Sequence, residues 1–240
     1  MDMDNFEWDF ERIERKNGSK TDLETKDKNG QCALTYACLF TKNLDMIETI
    51  LKAKVNVNMK QKGAVNNDTS LIIACREGDI NKVKLLLKYG AKPQTTNKRK
   101  ETPLDASSYL GYRDIIQLLI EKGTDVSSQN ELGQTALMLS VYSGDVETVK
   151  MLIEAGSPLE AKDRGGSTAI EYALYRRERE IANYLLELKP DINPLFAHVD
   201  FEEFFDVTPH LKDYIENNKG TLTPENQKAW KMFRLKSLFA

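Results

Sequence analysis

Histidine and cysteine, the side chains that most often act as bases, nucleophiles or metal ligands, are rare in this chain. The two histidines, His198 and His210, both lie near the C-terminus and share no metal-ligand spacing with any cysteine. No glycine-rich phosphate-binding loop follows a strand. His198 lies two residues before Asp200, but this pair alone does not make a catalytic site. We therefore expect no enzymatic activity, no metal and no cofactor.

The cysteines, three residues without paired spacing, indicate a reducing compartment. The first twenty residues are acidic and aromatic and lack the apolar stretch of a signal peptide. No apolar run approaches the roughly 18 residues that span a bilayer. We expect a cytoplasmic or nuclear protein, or one delivered into a host cell by a route that leaves no such signal.

The net charge of −3 and the isoelectric point of about 5.6 argue against nucleic-acid binding, since nucleic-acid-binding domains are normally basic. The 40% of apolar residues suffices to bury a continuous core. We expect a monomer that binds neither nucleic acid nor membrane.

Three tyrosines, Tyr109, Tyr142 and Tyr175, are 33 residues apart. Their side chains are of a type that suits non-covalent recognition. Tyrosine supplies a large contact area with little loss of rotamer entropy, and its hydroxyl can stay hydrated. Two interpretations remain open: the rings pack on their neighbours and stiffen the protein, or they form a binding surface. We favour the binding surface, because Leu, Ile and Ala already take the inward positions.

The elements that would position these rings repeat with the same period. A step of 33 residues separates Thr69, Thr102, Thr135 and Thr168, and two residues after each comes Leu or Ile. The threonines predict helix N-caps, and glycines nine and twenty-one residues after the first three predict helix ends. The apolar residues between them fit two helices, so the period predicts a stacked array of helix pairs.

The cysteines fall on defined positions of this period. Cys38 and Cys75 occupy the same small, inward helix position, so we interpret them as core thiols. Cys32 occupies the cap position and is the one cysteine placed where it could react.

The sequence resembles the ankyrin repeat family over residues 27–193. The resemblance rests on Thr102-Pro103-Leu104 with Ala106, and on Leu85-Leu86-Leu87 before Gly90-Ala91. It implies an all-α solenoid of five repeats, with the histidine that usually follows the Leu replaced in every repeat. The repeats would span residues 27–63, 64–96, 97–129, 130–162 and 163–193.

The flanks are expected to be helical as well. Residues 1–26 would hold a capping helix, over 4–16, and a turn. Residues 194–240 would form a divergent helical C-terminal cap, with helices opening at Thr208-Pro209 and Thr223-Pro224. The acidic first half and basic second half of that segment suit folding onto each other. The alternative is a separate docking tail, which we consider weaker because terminal repeats are characteristically atypical.

The stacked geometry that the resemblance implies would place the tyrosines in a concave groove beside the turns between repeats. Leu132, exposed on such a turn, is a candidate anchor. Arginines beside the tyrosines favour a partner segment with carboxylates or phosphates, although solvated surface charge is the commoner explanation. The candidate partner-binding residues are Phe40, Arg76, Arg99, Tyr109, Leu110, Leu132, Tyr142, Arg164, Tyr175 and Arg176.

These features predict a non-enzymatic protein–protein interaction module that binds a partner protein or peptide, with acidic character, in its groove. Three alternatives remain open. The chain could be an adaptor whose C-terminal helices dock a second protein, a host-targeted effector, or a protein inhibitor of an enzyme. The residues do not decide among these, because fold does not imply function.

Overall fold

The computed structural model describes residues 20–61, 66–197 and 203–237. In this part of the chain, helices joined by short turns make up the regular structure, together with one isolated bridge between Lys60 and Thr69. The capping helix expected over 4–16 and the candidate histidine His198 lie outside the described residues. The helices are α1 (Lys20–Glu24), α2 (Ala33–Phe40), α3 (Leu44–Lys52), α4 (Ser70–Glu77), α5 (Ile80–Lys88), α6 (Pro103–Leu110), α7 (Arg113–Glu121), α8 (Ala136–Ser140), α9 (Val146–Glu154), α10 (Ala169–Tyr175), α11 (Arg179–Glu187), α12 (Glu203–Val207), α13 (His210–Asn218) and α14 (Pro224–Ser237).

The helix starts follow the threonines of the repeat. The Thr102 hydroxyl accepts a hydrogen bond from the backbone N–H of Asp105 at 3.1 Å, and Pro103 takes the first helical position, where no N–H is needed. Thr69 and Thr135 accept in the same way from residues three positions on, each at 3.4 Å. Three of the four predicted N-caps are therefore present, while the Thr168 hydroxyl donates to the carboxylate of Glu171 at 3.2 Å.

The first helix of the pair ends at a glycine for two separate reasons. Gly78 has φ of +71°, a left-handed conformation that side chains disfavour. A Cβ at this position would also lie 2.6 Å from the ring of Tyr112 in the next pair. In the last pair Arg177 adopts the same conformation, with φ of +59°, so the backbone turns alike without a glycine.

The helix pairs stack side by side. The first helices α2, α4, α6, α8 and α10 pack on one another in that order, and the second helices α3, α5, α7, α9 and α11 do the same. Buried side chains at the repeat spacing, Leu71, Leu104, Leu137 and Ile170, run through the middle of the stack. The core is thus a ribbon along the array, as expected for a solenoid.

A buried lysine contacts the C-terminal end of α2, the first helix of the first pair. The residue after α2 is Thr41, which is extended and is not a glycine. The buried Lys82 of α5 donates from its Nζ to the carbonyl oxygen of Cys38 at 2.7 Å and lies 3.9 Å from the carboxylate of Asp79. A cation at a helix C-terminus satisfies an orphan carbonyl and is favoured by the helix dipole.

Helix α12 packs on α10, α13 packs on α11, and α14 packs on the short turn at Asn193–Ala197. Leu211, Ile215 and Trp230 are buried in the same hydrophobic cluster as the repeats. The carboxylate of Glu216 accepts from the indole N–H of Trp230 at 3.1 Å and pairs with Arg234 at 2.9 Å. Glu216 from the acidic half of this segment and Arg234 from its basic half therefore contact each other. Within the described residues, no helix has both the length and the apolar character needed to cross a bilayer.

Candidate partner-binding groove

The turns before the first helices form a hydrogen-bonded row, which we call the fingers: residues 66–68, 97–101, 130–134 and 163–167. Each finger bonds to the next through one backbone pair. The N–H of Lys98 donates to Asn66 at 2.7 Å, that of Glu131 to Arg99 at 2.7 Å, and that of Arg164 to Leu132 at 2.9 Å. Side chains on the fingers are therefore held in fixed register along the array.

Next to the fingers, Tyr142 is packed on three sides. The ring of Tyr109 lies 5.1 Å away between centroids, at an interplanar angle of 35°. The guanidinium of Arg176 lies 4.9 Å from the Tyr142 centroid, and Tyr172 meets the ring edge-on at 5.9 Å. Such aromatic and cation–π contacts stabilise the stack. Tyr109, at its outer end, keeps 47% of its surface exposed.

Tyr175 does not extend this stack, although the sequence pattern predicts it at the same repeat position as Tyr109 and Tyr142. Its ring contacts Phe204 of α12 at 5.1 Å in an edge-on arrangement, although 53% of its surface stays exposed. The third ring against Tyr142 is Tyr172, one helical turn earlier in α10. The C-terminal segment engages Tyr175, which no reasoning within the repeat could show.

Tyr109, Tyr142 and the fingers line an open cleft of about 580 Å³. Leu132 on its finger and Leu110 at the end of α6 are exposed apolar side chains on its wall, with 59% and 39% of their surfaces accessible. The lining residues are Asn66, Arg76, Arg99, Glu101, Asp105, Ala106, Tyr109, Leu110, Leu132, Gln134, Leu139 and Tyr142. We use the name groove for this cleft and the fingers beside it.

The candidate arginines differ in what they contact. Arg76 pairs with Asp68 at 2.5 Å and with Glu101 at 3.3 Å, so it links two fingers. Arg176 lies on Tyr142. Arg99 and Arg164 are exposed, and no side chain of the described residues pairs with either guanidinium. Two of the four candidate arginines are therefore available to a ligand's anions.

Asp105, beneath the cleft, is buried. One carboxylate oxygen, Oδ2, accepts from the backbone N–H of Thr102 at 2.8 Å and completes the helix cap. The other, Oδ1, is buried without a hydrogen-bond partner among the described residues. Burial, only partly offset by the hydrogen bonds from Thr102, raises the pKa of Asp105 to about 6.

Phe40 does not line this cleft, so its place among the groove residues stays a prediction. Its ring packs on Tyr36 of the same helix at 4.8 Å, and 59% of its surface is exposed. The preceding residue, Leu39, instead lines a smaller cleft of about 160 Å³ with Arg76.

The sequence pattern did not single out Tyr172, although its side chain lies at the groove. Tyr172 donates from its hydroxyl to Asp163 at 2.7 Å and accepts from the Gln134 amide at 2.8 Å, which ties the last two fingers. Burial raises the pKa of the Tyr172 phenol. Tyr172 lies 33 residues after Leu139, another lining residue, so the repeat register contained a signal for it.

The thiols are buried, including Cys32 at the cap position. Burial raises the pKa of Cys38 to about 12 and also raises the pKa of Cys75. Because Cys32 is buried, its position does not support the hypothesis that its thiol could react. Among the residues that the structure describes, no group of three or more His, Cys, Asp and Glu side chains could hold a metal ion.

Comparison with known families identifies the repeat. The family model described as ankyrin repeats (3 copies) matches residues 42–130 and 105–195, which together cover more than half of the chain. The groove described above lies within the matched residues. Ankyrin repeats form protein–protein interaction modules.

Two curated relatives come from Arabidopsis thaliana. The putative E3 ubiquitin-protein ligase XBAT35 is 34% identical over 95 residues, or 40% of this chain and 20% of the relative. The putative E3 ubiquitin-protein ligase XBAT34 is 34% identical over 94 residues, or 39% of this chain and 25% of the relative. The matched segment thus spans between a fifth and a quarter of these relatives' length.

Proposed function

The chain belongs to the ankyrin repeat family, and on this basis we propose that it binds a partner protein in the groove and catalyses no reaction itself. The observation that supports the groove best is the exposed pair Tyr109 and Leu132. Both are large apolar side chains, and both are held in fixed positions, one by the stack on Tyr142 and one by the hydrogen-bonded fingers. Tyrosine is among the residue types enriched in interface hot spots, and a partner can desolvate both side chains where they now face solvent.

The size of the groove fits this role. A standard interface buries about 800 Å² per partner. At about 10 Å between stacked helix pairs, such an area spans three or four repeats. The fingers from Asn66 to Ser167 cover that length, so one partner segment can contact all of them.

The test is the affinity of a partner for variants with both anchors removed. We expect Tyr109→Ala with Leu132→Ala to weaken binding by more than about 2 kcal/mol, since hot-spot residues contribute this much. The melting temperature should fall only modestly, because Leu132 is largely exposed and Tyr109 is about half exposed. Met232→Ala, which removes an exposed apolar side chain of α14 outside the groove, is the matched control. Unchanged affinity for the double variant would contradict the proposal.

Tyr142 is the wrong residue for this test. It is half-buried and packs on Tyr109, Tyr172 and Arg176, so its removal would lower stability together with binding. The interpretation of the tyrosines as stiffening side chains thus suits Tyr142, while Tyr109 suits the binding surface.

A second candidate is an adaptor that also docks a protein on its C-terminal helices. A separate cleft of about 720 Å³ lies between α13 and α14, lined in part by the exposed Lys228 and Lys231. Truncation cannot separate a cap from a docking site, because Trp230 and Leu222 belong to the core. We expect Lys228→Glu with Lys231→Glu to leave the melting temperature within about 2 °C and to abolish only a second partner's binding. If no interaction is lost, the segment acts as a cap.

The names of the two relatives point to ubiquitin ligation, which we do not extend to this chain. The match covers a fifth to a quarter of those proteins, and it falls in a chain that we propose to be a recognition module. Incubation with ubiquitin, an activating enzyme and a panel of conjugating enzymes should give no ubiquitin chains. Chain formation would contradict the assignment as a non-enzyme.

A further inference from the structure

The charges on the fingers are one-sided wherever they are not already paired. The carboxylates of Asp68 and Glu101 are taken up by Arg76, and that of Asp163 accepts from Tyr172 and from the backbone of its own finger. The remaining exposed cations of the fingers are Lys98, Arg99, Lys100 and Arg164, and the exposed carboxylate among them is Glu131. The row therefore presents a positive edge to any ligand.

The positive groups flank an apolar one. Leu132 lies on the finger between those that carry Arg99 and Arg164, and the inter-finger hydrogen bonds join Arg99 to Glu131 and Leu132 to Arg164. An exposed leucine beside unpaired guanidiniums has no role in the array's own packing. Both the leucine and the two arginines instead suit a ligand that carries an apolar side chain between two anions.

The spacing sets the order of those groups in the ligand. Arg99 and Arg164 are two fingers apart, or about 20 Å at about 10 Å per stacked repeat. An extended peptide rises about 3.3 Å per residue, so this distance corresponds to about six residues. The apolar side chain would then lie about three residues from each anion.

From this arrangement, and resting on the proposed function, we propose that the ligand of the groove is an extended acidic peptide. It carries a large apolar residue that seats on Leu132 and Tyr109, with a carboxylate about three residues before it and another about three residues after it. The two carboxylates meet Arg99 and Arg164. Arginine forms bidentate contacts with carboxylates, which gives this match direction as well as charge.

The groove selects against the opposite charge. A basic peptide would bring its cations against Arg99 and Arg164, and it would find Asp68, Glu101 and Asp163 already engaged. Like charges across an interface cost affinity and slow association.

The test begins with a library of random 12-residue peptides displayed on phage. Peptides are selected on the full chain and counter-selected on the Tyr109→Ala, Leu132→Ala variant. We expect the recovered sequences to share an apolar residue flanked by Asp or Glu at about three residues on either side. Groove-dependent sequences without flanking acids would overturn the acidic-peptide inference and leave the groove as a binding site. Recovery of no groove-dependent sequence would overturn the inference, and the affinity test with a partner protein would then decide the proposed function on its own.

The charge match is measured with one selected peptide and its copy in which both acids become Gln. We expect the acidic peptide to bind about tenfold more tightly, since two exposed ion pairs together are of this order. The preference should vanish in Arg99→Gln with Arg164→Gln and shrink in high salt. Lys84→Gln with Lys122→Gln, which removes one exposed cation from α5 and one just after the end of α7, is the control and should keep the preference. Equal binding of both peptides to the wild type would overturn the proposal.

Discussion

The two ends of the groove hold their fingers by different chemistry. Between the second and third helix pairs, Arg76 joins Asp68 and Glu101 by ion pairs, and the amide of Asn97 donates to both carboxylates at 2.8 and 2.7 Å. Between the fourth and fifth pairs, the phenol of Tyr172 joins the two fingers by hydrogen bonds to Gln134 and Asp163.

The difference shows that the fingers keep the same spacing whether ion pairs or the hydrogen bonds of a phenol join them. Either chemistry places neighbouring fingers within reach of one backbone hydrogen bond. The ends should nevertheless respond differently to mutation, pH and salt. Ion pairs near the surface weaken in salt and with titration, whereas an aromatic contact depends on the area that it buries.

The largest effect is expected at the aromatic end. Tyr172→Ala removes a ring packed on Tyr142 and two hydrogen bonds, so the free energy of unfolding should fall by about 3 kcal/mol. Urea denaturation measures this loss. Tyr172→Phe keeps the ring and should cost only about 1 kcal/mol. Equal losses for the two variants would show that the hydroxyl, and not the ring, holds this end.

The next effect concerns pH at the charged end, where Asp105 is buried with a pKa raised to about 6. An unfolded aspartate has a pKa near 3.9, so the folded state binds more protons between about pH 4 and pH 6. The contribution of Asp105 to the free energy of unfolding is therefore fully present below about pH 4, and it is lost as the pH rises through 6. The equivalent residue of the next pair is the uncharged Met138, which titrates at no pH.

Asp105→Asn isolates this contribution because it keeps an acceptor for the N–H of Thr102 and removes the titration. Between pH 4 and pH 7 the wild type should lose about 2 kcal/mol of unfolding free energy relative to the variant. Chemical denaturation at a series of pH values measures the difference. Parallel pH profiles for the two proteins would contradict the assignment.

The smallest effect is expected for Arg76→Gln, which breaks the ion pairs between the second and third pairs. Arg76 is partly exposed, so the loss should be about 1 kcal/mol at low salt and less at high salt. Arg164→Gln is the matched control, since no described side chain pairs with Arg164, and it should leave stability unchanged. If both variants lose the same stability, the ion pairs with Asp68 and Glu101 do not hold the fingers.

The repeat and its helices follow from the sequence because their causes are local. A threonine caps a helix, a glycine ends it, and an apolar residue at fixed spacing faces the core. Thr102 and Leu104 need no information beyond their own repeat. The groove positions of Tyr109 and Leu132 follow from the same register.

The rest depends on contacts between segments far apart in sequence. Tyr175 fits the register as well as Tyr142 does, but Phe204 packs on its ring. The sequence also treats Arg76 and Arg99 alike, although acids on two fingers neutralise the first and none of the described residues pairs with the second. Periodicity predicts a side chain's position in its repeat, and it cannot predict which distant side chain meets it.

Hydrogen exchange of the chain, with and without a peptide selected on the wild type without counter-selection, tests the groove most directly. We expect the peptide to slow exchange in the fingers at residues 97–101 and 130–134 and at the end of α6. The second helices α3, α5, α7 and α9 should exchange as they do in the free chain. Slower exchange confined to those second helices or to α13 and α14 would contradict a partner-binding groove.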